Sequence, residues 1–590
     1  MQIYFDRIAQ FQQDLDRQKR KSTTLSIIRL GIFILCILSF YVGFSKELIW
    51  GWVALLLGLM LFLVTIKIHS KLKCHLQIQS NLLEINQKEW KYLTQNEVNF
   101  PDGTEFINTS HAHSYDLDIF GPNSLYQHLN RTHTYKGSLV LFDLLVSHLS
   151  PKDIVDNQIA IEELAQNLSW RQKFEAISSY VSDEQEDYEF FSNWSQMKVQ
   201  KTGMFMDIAS YLLPVVLIAT AFYGWIQGVS VINYLFGLFV LNLLLSFSQA
   251  KKIKREIENS DRIDEITKGY GILLEEIENQ TFASSKLIHL QEKIQVENQK
   301  ASSSIRQLSQ LFADLNNIQN VFGAILMNGT IFYHTHRLRK FNQWKMQHAS
   351  QLKNWLEVIG EFEALNSLSN FAYNNPSFVY PKLNQEFQLN FEELGHPLIP
   401  STKRITNDIS FEEKPFTILT GSNMSGKSTF SRTLGINMVL AGIGSVVCAK
   451  KANIHPLPVL VSMRQSDSLS DSESYFFAEV KRLKELMDNL STTPSFVLLD
   501  EILRGTNSDD KQSGTMGVIR KLMSNKAIGM IATHDIEVCK MESEYPNQIT
   551  NRCFEVEIIN DELVFDYKLR DGICRNKSAT FLMKKMQIID

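Results

Sequence analysis

A run of 43 residues without one charged side chain, Ile208 to Ala250, constrains this 590-residue chain more than any other feature. A second run, Leu48 to Ile66, holds 19 uncharged residues. A bilayer core takes about 20 apolar residues as a helix, so the longer run has the length of two spans and the shorter of one. The longer run is expected to turn around Gly224–Ser230. A further stretch, 26–44, is apolar apart from Arg29, which lies near one end, where its side chain can reach the headgroups. Four spans are therefore expected, arranged as two hairpins. The first run begins late and a second follows at once, which does not fit a cleaved leader.

The flanking charges orient these hairpins. Arg17, Lys19, Arg20 and Lys21 precede the first span, and Lys67, Lys71 and Lys73 follow the second. Lys198 and Lys201 precede the third, and Lys251, Lys252, Lys254 and Arg255 follow the fourth. The opposite loops carry only Lys46 and Glu47. Positive charge stays on the cytoplasmic side, so both termini are expected there, in a multi-pass protein of a bacterial inner membrane. The 6 cysteines form no CxxC pair, which disfavours a disulfide scaffold or zinc module. With 59 Lys and Arg against 64 Asp and Glu, a globally basic nucleic-acid binder is excluded, while a local basic face is not.

Between the hairpins and beyond them the chain reads as soluble. Residues 1–75 are a basic head and the first hairpin, 76–207 a cytoplasmic segment, 208–250 the second hairpin, 251–375 a helical stretch, and 376–590 an α/β domain. His111, His113, Asp116 and Asp118 lie close together but match no metal spacing, and a capped loop or strand edge is expected there. No proline occurs between Pro214 and Pro376, and Leu352, Trp355, Leu356, Ile359, Phe362 and Leu365 follow a helical stripe. His334 to Lys345 is basic with aromatics and is expected to be a solvated helix face. From 376 onward prolines return, and the apolar runs Phe416–Leu419, Phe496–Leu499 and Ala527–Ala532 alternate with helical stretches, the pattern of a buried parallel sheet.

The chemistry is in this last segment. Gly421, Ser422, Asn423, Met424, Ser425, Gly426, Lys427, Ser428 and Thr429 match GxxxxGK[ST], after an apolar strand and before a helix-like run. Backbone N–H groups of such a loop wrap phosphate oxygens at a helix N-terminus. Lys427 would hold the β- and γ-phosphates of ATP, and the Ser428 hydroxyl would ligate Mg²⁺. The run SFVLLDEI ends a second strand on Asp500 and Glu501. Asp500 fits the Mg²⁺-side acid and Glu501 the group that polarises the attacking water. A third strand, GMIATH, ends at His534, in reach of a γ-phosphate. Together these describe a Mg²⁺-dependent nucleotide hydrolase working by positioning and charge stabilisation.

These residues resemble the MutS family of DNA mismatch-repair ATPases. GSNMSGKSTF resembles that family's GPNMxGKST loop, with Ser422 in place of proline. DEILRGTNSDD, Asp500 to Asp510, resembles its DEIGRGTxxxDG block, with Lys511 in place of the final glycine. ATH at 532–534 matches its histidine motif, and Ser474 to Glu479 its STFxxE signature. Gly395-His396-Pro397 and Ile405 to Asp408 resemble elements that precede the loop. Toward the N-terminus, Gly137 to Leu164 and residues 280–380 are similar to the family's helical core, with the 208–250 spans where it has lever and clamp arms.

The resemblance implies an α/β P-loop (ABC-type) ATPase domain preceded by an all-α core, here interrupted by four transmembrane helices. It implies a homodimer in which Ser474 of one copy faces the ATP held by the other, closing on binding and reopening on hydrolysis. Residues 1–66 leave no room for the mismatch-reading domain, so DNA, if held, is expected on local basic surface. The alternatives are a membrane scaffold whose cycle moves a protein partner, and an ABC half-transporter, which the absence of an LSGGQ sequence disfavours.

Overall fold

The computed structural model describes the chain except residues 46–48, 200–202, 258–262, 297–298, 317–320, 465–474, 560–561, 575–582, 584–585 and 590. Its most extended parts are two continuous helices, Gln2–Ser45 and Ile49–Gln95, of 44 and 47 residues. At 1.5 Å per residue each is about 65–70 Å long, twice a bilayer core. They pack as an antiparallel hairpin: Phe33 meets Phe62, and Phe40 meets Trp52 edge to face. The backbones approach so closely at the tip that a Cβ on Gly51 would lie 2.5 Å from the Gly43 nitrogen. Small residues at these positions let two helix backbones approach closely.

Each helix changes character along its length. The outer parts present Leu35, Leu38, Leu57 and Leu63, each more than half exposed. The inner parts are fastened to the helical core: Tyr4 donates to Asn374 Oδ1 at 2.8 Å, and Asn81 Nδ2 donates to the Ala176 carbonyl at 3.0 Å. The expected spans are therefore the distal ends of two long stems.

The 208–250 run also folds as a helical hairpin, Met204–Gln227 and Ile232–Phe247, turning at Gly228 with φ 64°. Its second helix has 16 residues. That is about 24 Å, short of the roughly 30 Å of a bilayer core. Among the described residues three helices, rather than the expected four, are long and apolar enough to span. The shorter one packs against an apolar helix that sequence reading did not separate from the lever, Val321–Ile331. Asn242 Nδ2, buried between them, donates to the Gly329 carbonyl at 3.0 Å.

The helical core surrounds an aromatic interior in which the rings of Trp170, Phe174, Phe282 and Phe362 pack, mostly edge to face or tilted, at centroid distances of 5.1–6.1 Å. Its longest member, Tyr333–Asn374, has 42 residues and runs from the second hairpin toward the α/β domain. The expectation of a solvated face at His334–Lys345 is overturned. Leu338, Phe341 and Trp344 are buried, and Lys345 Nζ lies 4.5 Å from the Trp194 ring centre. Arg339 pairs with Asp207 at 2.5 Å and Arg337 with Asp314 at 3.2 Å. Interleaved aromatics at helical spacing put half of this stretch inward, and the partners of its arginines come from distant segments.

The C-terminal domain is built on a six-stranded sheet in the order 562–571, 549–559, 416–421, 528–533, 496–500, 459–462. All neighbours are parallel except the first pair. The strands Phe416–Gly421, Phe496–Asp500 and Ile528–Thr533 are buried along their whole length, as strands covered on both faces must be. Thr533 aligns with Thr420, and Ala532 with Asp500, so these strands end at one edge. A smaller sheet, in the order 382–383, 451–454, 389–394, 407–410, lies beside it.

Candidate functional site

The common sheet edge collects the residues that the motifs single out. Gly421 ends its strand, Ser422 to Ser425 turn, and Gly426 starts the helix Lys427–Gly442. Gly426 has φ 100°, and a Cβ there would lie 3.0 Å from the Tyr567 ring, so only glycine fits. As the N-cap it offers no side-chain acceptor, which leaves the first-turn N–H groups to an anion. Lys427 Nζ donates to the carbonyls of Gly421 and Ser422 at 3.0 and 3.1 Å. Burial lowers its pKa from the ordinary lysine value, opposed by Glu501 and Asp500. Asn423 and Met424 are exposed at the loop tip, and Thr429 lines the cavity beneath.

Ser428 Oγ donates to Asp500 Oδ2 at 2.5 Å. Asp500 Oδ1 is buried and has no hydrogen-bond partner, and burial raises the carboxyl's pKa. A hydroxyl beside a carboxylate with a spare buried oxygen is an all-oxygen donor set, and it fits Mg²⁺.

Glu501 sits in the left-handed region, φ 48°, which swings its carboxylate out of the strand line. Its Oε1 lies 2.5 Å from His534 Nε2, and its Oε2 lies 3.3 Å from Arg504. Since a carboxylate only accepts, His534 Nε2 carries the proton of that contact. The hydrogen bond from His534, ahead of the charges of His534, Arg504 and Lys427, depresses the Glu501 pKa to about 2. His534 Nε2 is also 3.2 Å from Lys427 Nζ. The backbone after Glu501 is clamped by Glu479, which accepts from the N–H of Leu503 at 2.6 Å and of Arg504 at 3.2 Å. This gives Glu479, noted in sequence only as the end of a signature, a positioning role. Ser474 lies outside the described residues.

A cavity of about 450 Å³ opens beside the loop. Its far wall is His396, Ile405, Phe554 and Tyr567. The first two lie in stretches noticed in the sequence without a site role, and the last two carried no signal. Asn407 Nδ2 donates to the Tyr567 carbonyl at 3.0 Å and so pins this strand over the loop. Burial lowers the His396 pKa to about 4, which keeps its ring neutral near pH 7.

The His111–Asp118 group holds no metal cluster among the described residues. Asp116 accepts from the N–H of Met463 and Arg464 at 2.8 and 2.6 Å and pairs with Arg482. Asp118 pairs with Arg432 and Arg464. These acids fasten the segment before the helical core to the α/β domain.

Residues 417–588 match the family model "MutS domain V". The DNA mismatch repair protein MutS of Clostridium perfringens is 32% identical over 235 residues, 38% of this chain and 26% of its own length. That of Clostridium botulinum strain Hall is 32% identical over 236 residues, 38% of this chain and 25% of its own. The chain thus spans about a quarter of the length of these curated relatives. The similarity lies in the C-terminal α/β domain, which resembles domain V of the MutS family.

Proposed function

We propose that this protein is a membrane-anchored, MutS-like ATPase that hydrolyses Mg·ATP and couples the cycle to closure of a homodimer that engages DNA. The observation that carries the reading is the convergence at one sheet edge of Lys427, the Ser428–Asp500 pair and the Glu501–His534 pair. Ser428 and Asp500 would hold Mg²⁺, which when bound neutralises charge on the β- and γ-phosphate oxygens. The loop N–H groups and Lys427 bind the triphosphate. Glu501, anionic over the whole physiological range, orients the attacking water and takes up its proton. His534 holds Glu501 in place and faces the γ-phosphate. The water oxygen bonds to the γ-phosphorus, the bond to the β-bridging oxygen breaks, and ADP and phosphate leave. The neutral aromatic wall at Phe554, Tyr567 and His396 suits a nucleobase.

Anchoring rests on the three long apolar helices with exposed apolar faces, far larger than a soluble monomer carries. DNA engagement rests on what the relatives are called. Turnover in detergent-solubilised full chain tests the core of the reading: Lys427→Ala is expected to abolish it, and undiminished turnover refutes the site.

A further inference from the structure

A cavity of about 650 Å³ lies where the first hairpin leaves the helical core, between Gln2–Ser45, Ile49–Gln95, Leu168–Val181 and Ile263–Asn279. Two cations face it with no ion pair among the described residues, Lys71 and Lys268, and His75 lies beside them. Its interior is lined by Phe11, Ile78 and Ile272. Gln79 Oε1 is buried at this cavity with no hydrogen-bond donor. The other charged residues lining it already have partners. Lys173 pairs with Glu276 at 2.6 Å, and Arg7 donates to Gln172 and Ser169 at 2.7 and 2.6 Å.

The order of these features along the helix is informative. Lys71 lies five residues beyond Ile66, where the apolar run ends. That is about 7–8 Å of helix, the depth of a headgroup layer. Gln79 lies eight residues deeper, about 12 Å further from the apolar span. Lys71 at headgroup depth thus stands at the mouth of a pocket whose one orphaned polar atom, among the described residues, is an acceptor. Phosphate matches the mouth, and a hydroxyl matches the orphan.

We infer that this crevice binds the headgroup of an anionic phospholipid with a hydroxylated alcohol, the phosphate held by Lys71 and Lys268 and a hydroxyl donated toward Gln79. The lipid source rests on the membrane reading above; recognition of a phosphate ester of a polyol does not. Lipid bound here would bridge the hairpin stem and the core helix Ile263–Asn279.

The test is native mass spectrometry of the full chain, incubated with equimolar dioleoylphosphatidylglycerol and dioleoylphosphatidylcholine in detergent. A preference for the glycerol lipid is expected, and it should fall about tenfold, about 1.4 kcal/mol, in Lys71→Gln/Lys268→Gln. Gln79→Met should lower it as well. Neither lysine makes an ion pair or a side-chain hydrogen bond among the described residues, and ATP turnover serves as the control for an intact chain. An unchanged preference in both variants overturns the site. Glycerol 3-phosphate that binds saturably and displaces the lipid places a soluble phosphate ester there and overturns the lipid assignment. Failure of the wild type to float with pure phosphatidylcholine vesicles counts against membrane anchoring, and it is read separately from the lipid preference.

Discussion

Replacing Glu501 with glutamine separates binding from chemistry at this site. Glutamine keeps the shape and an Oε1 that still accepts from His534 Nε2, now without the charge that shortens the contact to 2.5 Å. With the Glu501 pKa near 2, the residue is an ionised and weak base at pH 7, so its contribution is orientation and electrostatics more than proton affinity. Loss of such a group costs roughly 10²–10⁴ in rate, about 3–5 kcal/mol of barrier. The atoms proposed to bind phosphate, Lys427 and the loop N–H groups, are untouched, so ATP affinity should stay within a few-fold. The assay is single-turnover hydrolysis beside equilibrium binding of a fluorescent ATP analogue. The same depressed pKa predicts that the wild-type rate shows no acid limb from Glu501 between pH 5 and 8. A variant that keeps a tenth or more of wild-type turnover, or that loses ATP binding in parallel, refutes this assignment of roles.

Further outcomes follow from other parts of the molecule. The same Glu501→Gln variant should accumulate as an ATP-closed dimer, and capture with it, with and without nuclease, distinguishes partners: DNA recovered only without nuclease supports the proposed engagement, whereas an unchanged protein set points to a protein partner. Glu363, fully buried, accepts from the N–H of His133 and the hydroxyl of Thr134, and burial raises its pKa from 4.5 to about 7. The folded state therefore holds a proton that the unfolded state has lost between those values, so stability is full below pH 4.5 and declines as pH rises through 7. The loss approaches about 3 kcal/mol, and Glu363→Gln should flatten this slope in denaturant titrations in detergent. Asp116→Ala should cost about 3–5 kcal/mol, because it strands Arg482 and two backbone N–H groups; unfolding midpoints within the error of wild type would contradict that fastening role.

Much of this molecule is legible residue by residue. Uninterrupted apolar length is a local property, so the stems at 26–44 and 48–66 and the long run at 208–250 stand out without any partner. Glycine at 426 and the strand-end acids Asp500 and Glu501 are legible for the same reason: loop backbone geometry and buried strands restrict residue type at single positions. His334–Lys345 misled, because a charge seen alone reads as solvent-facing, while Asp314 and Asp207, which neutralise it, lie on other segments. The short second helix of the 208–250 hairpin escaped for a related reason. Val321–Ile331 carries the apolar surface beside it, and no sequence window contains both.

Sequence by itself determined that the chain carries helices of membrane-spanning length, an α/β domain, and a GxxxxGK[ST] loop with strand-end acids after it, since each depends on patterns within some twenty residues. Tertiary structure alone decided what stands opposite. It laid Phe554 and Tyr567 against the loop, set Glu479 under the backbone after Glu501, made Asp116 and Asp118 a clasp onto the α/β domain, and left a crevice lined by Lys71 and Lys268 where two stems part from the core. Those pairings join residues up to several hundred positions apart, and the chain energy that selects them belongs to the packed whole.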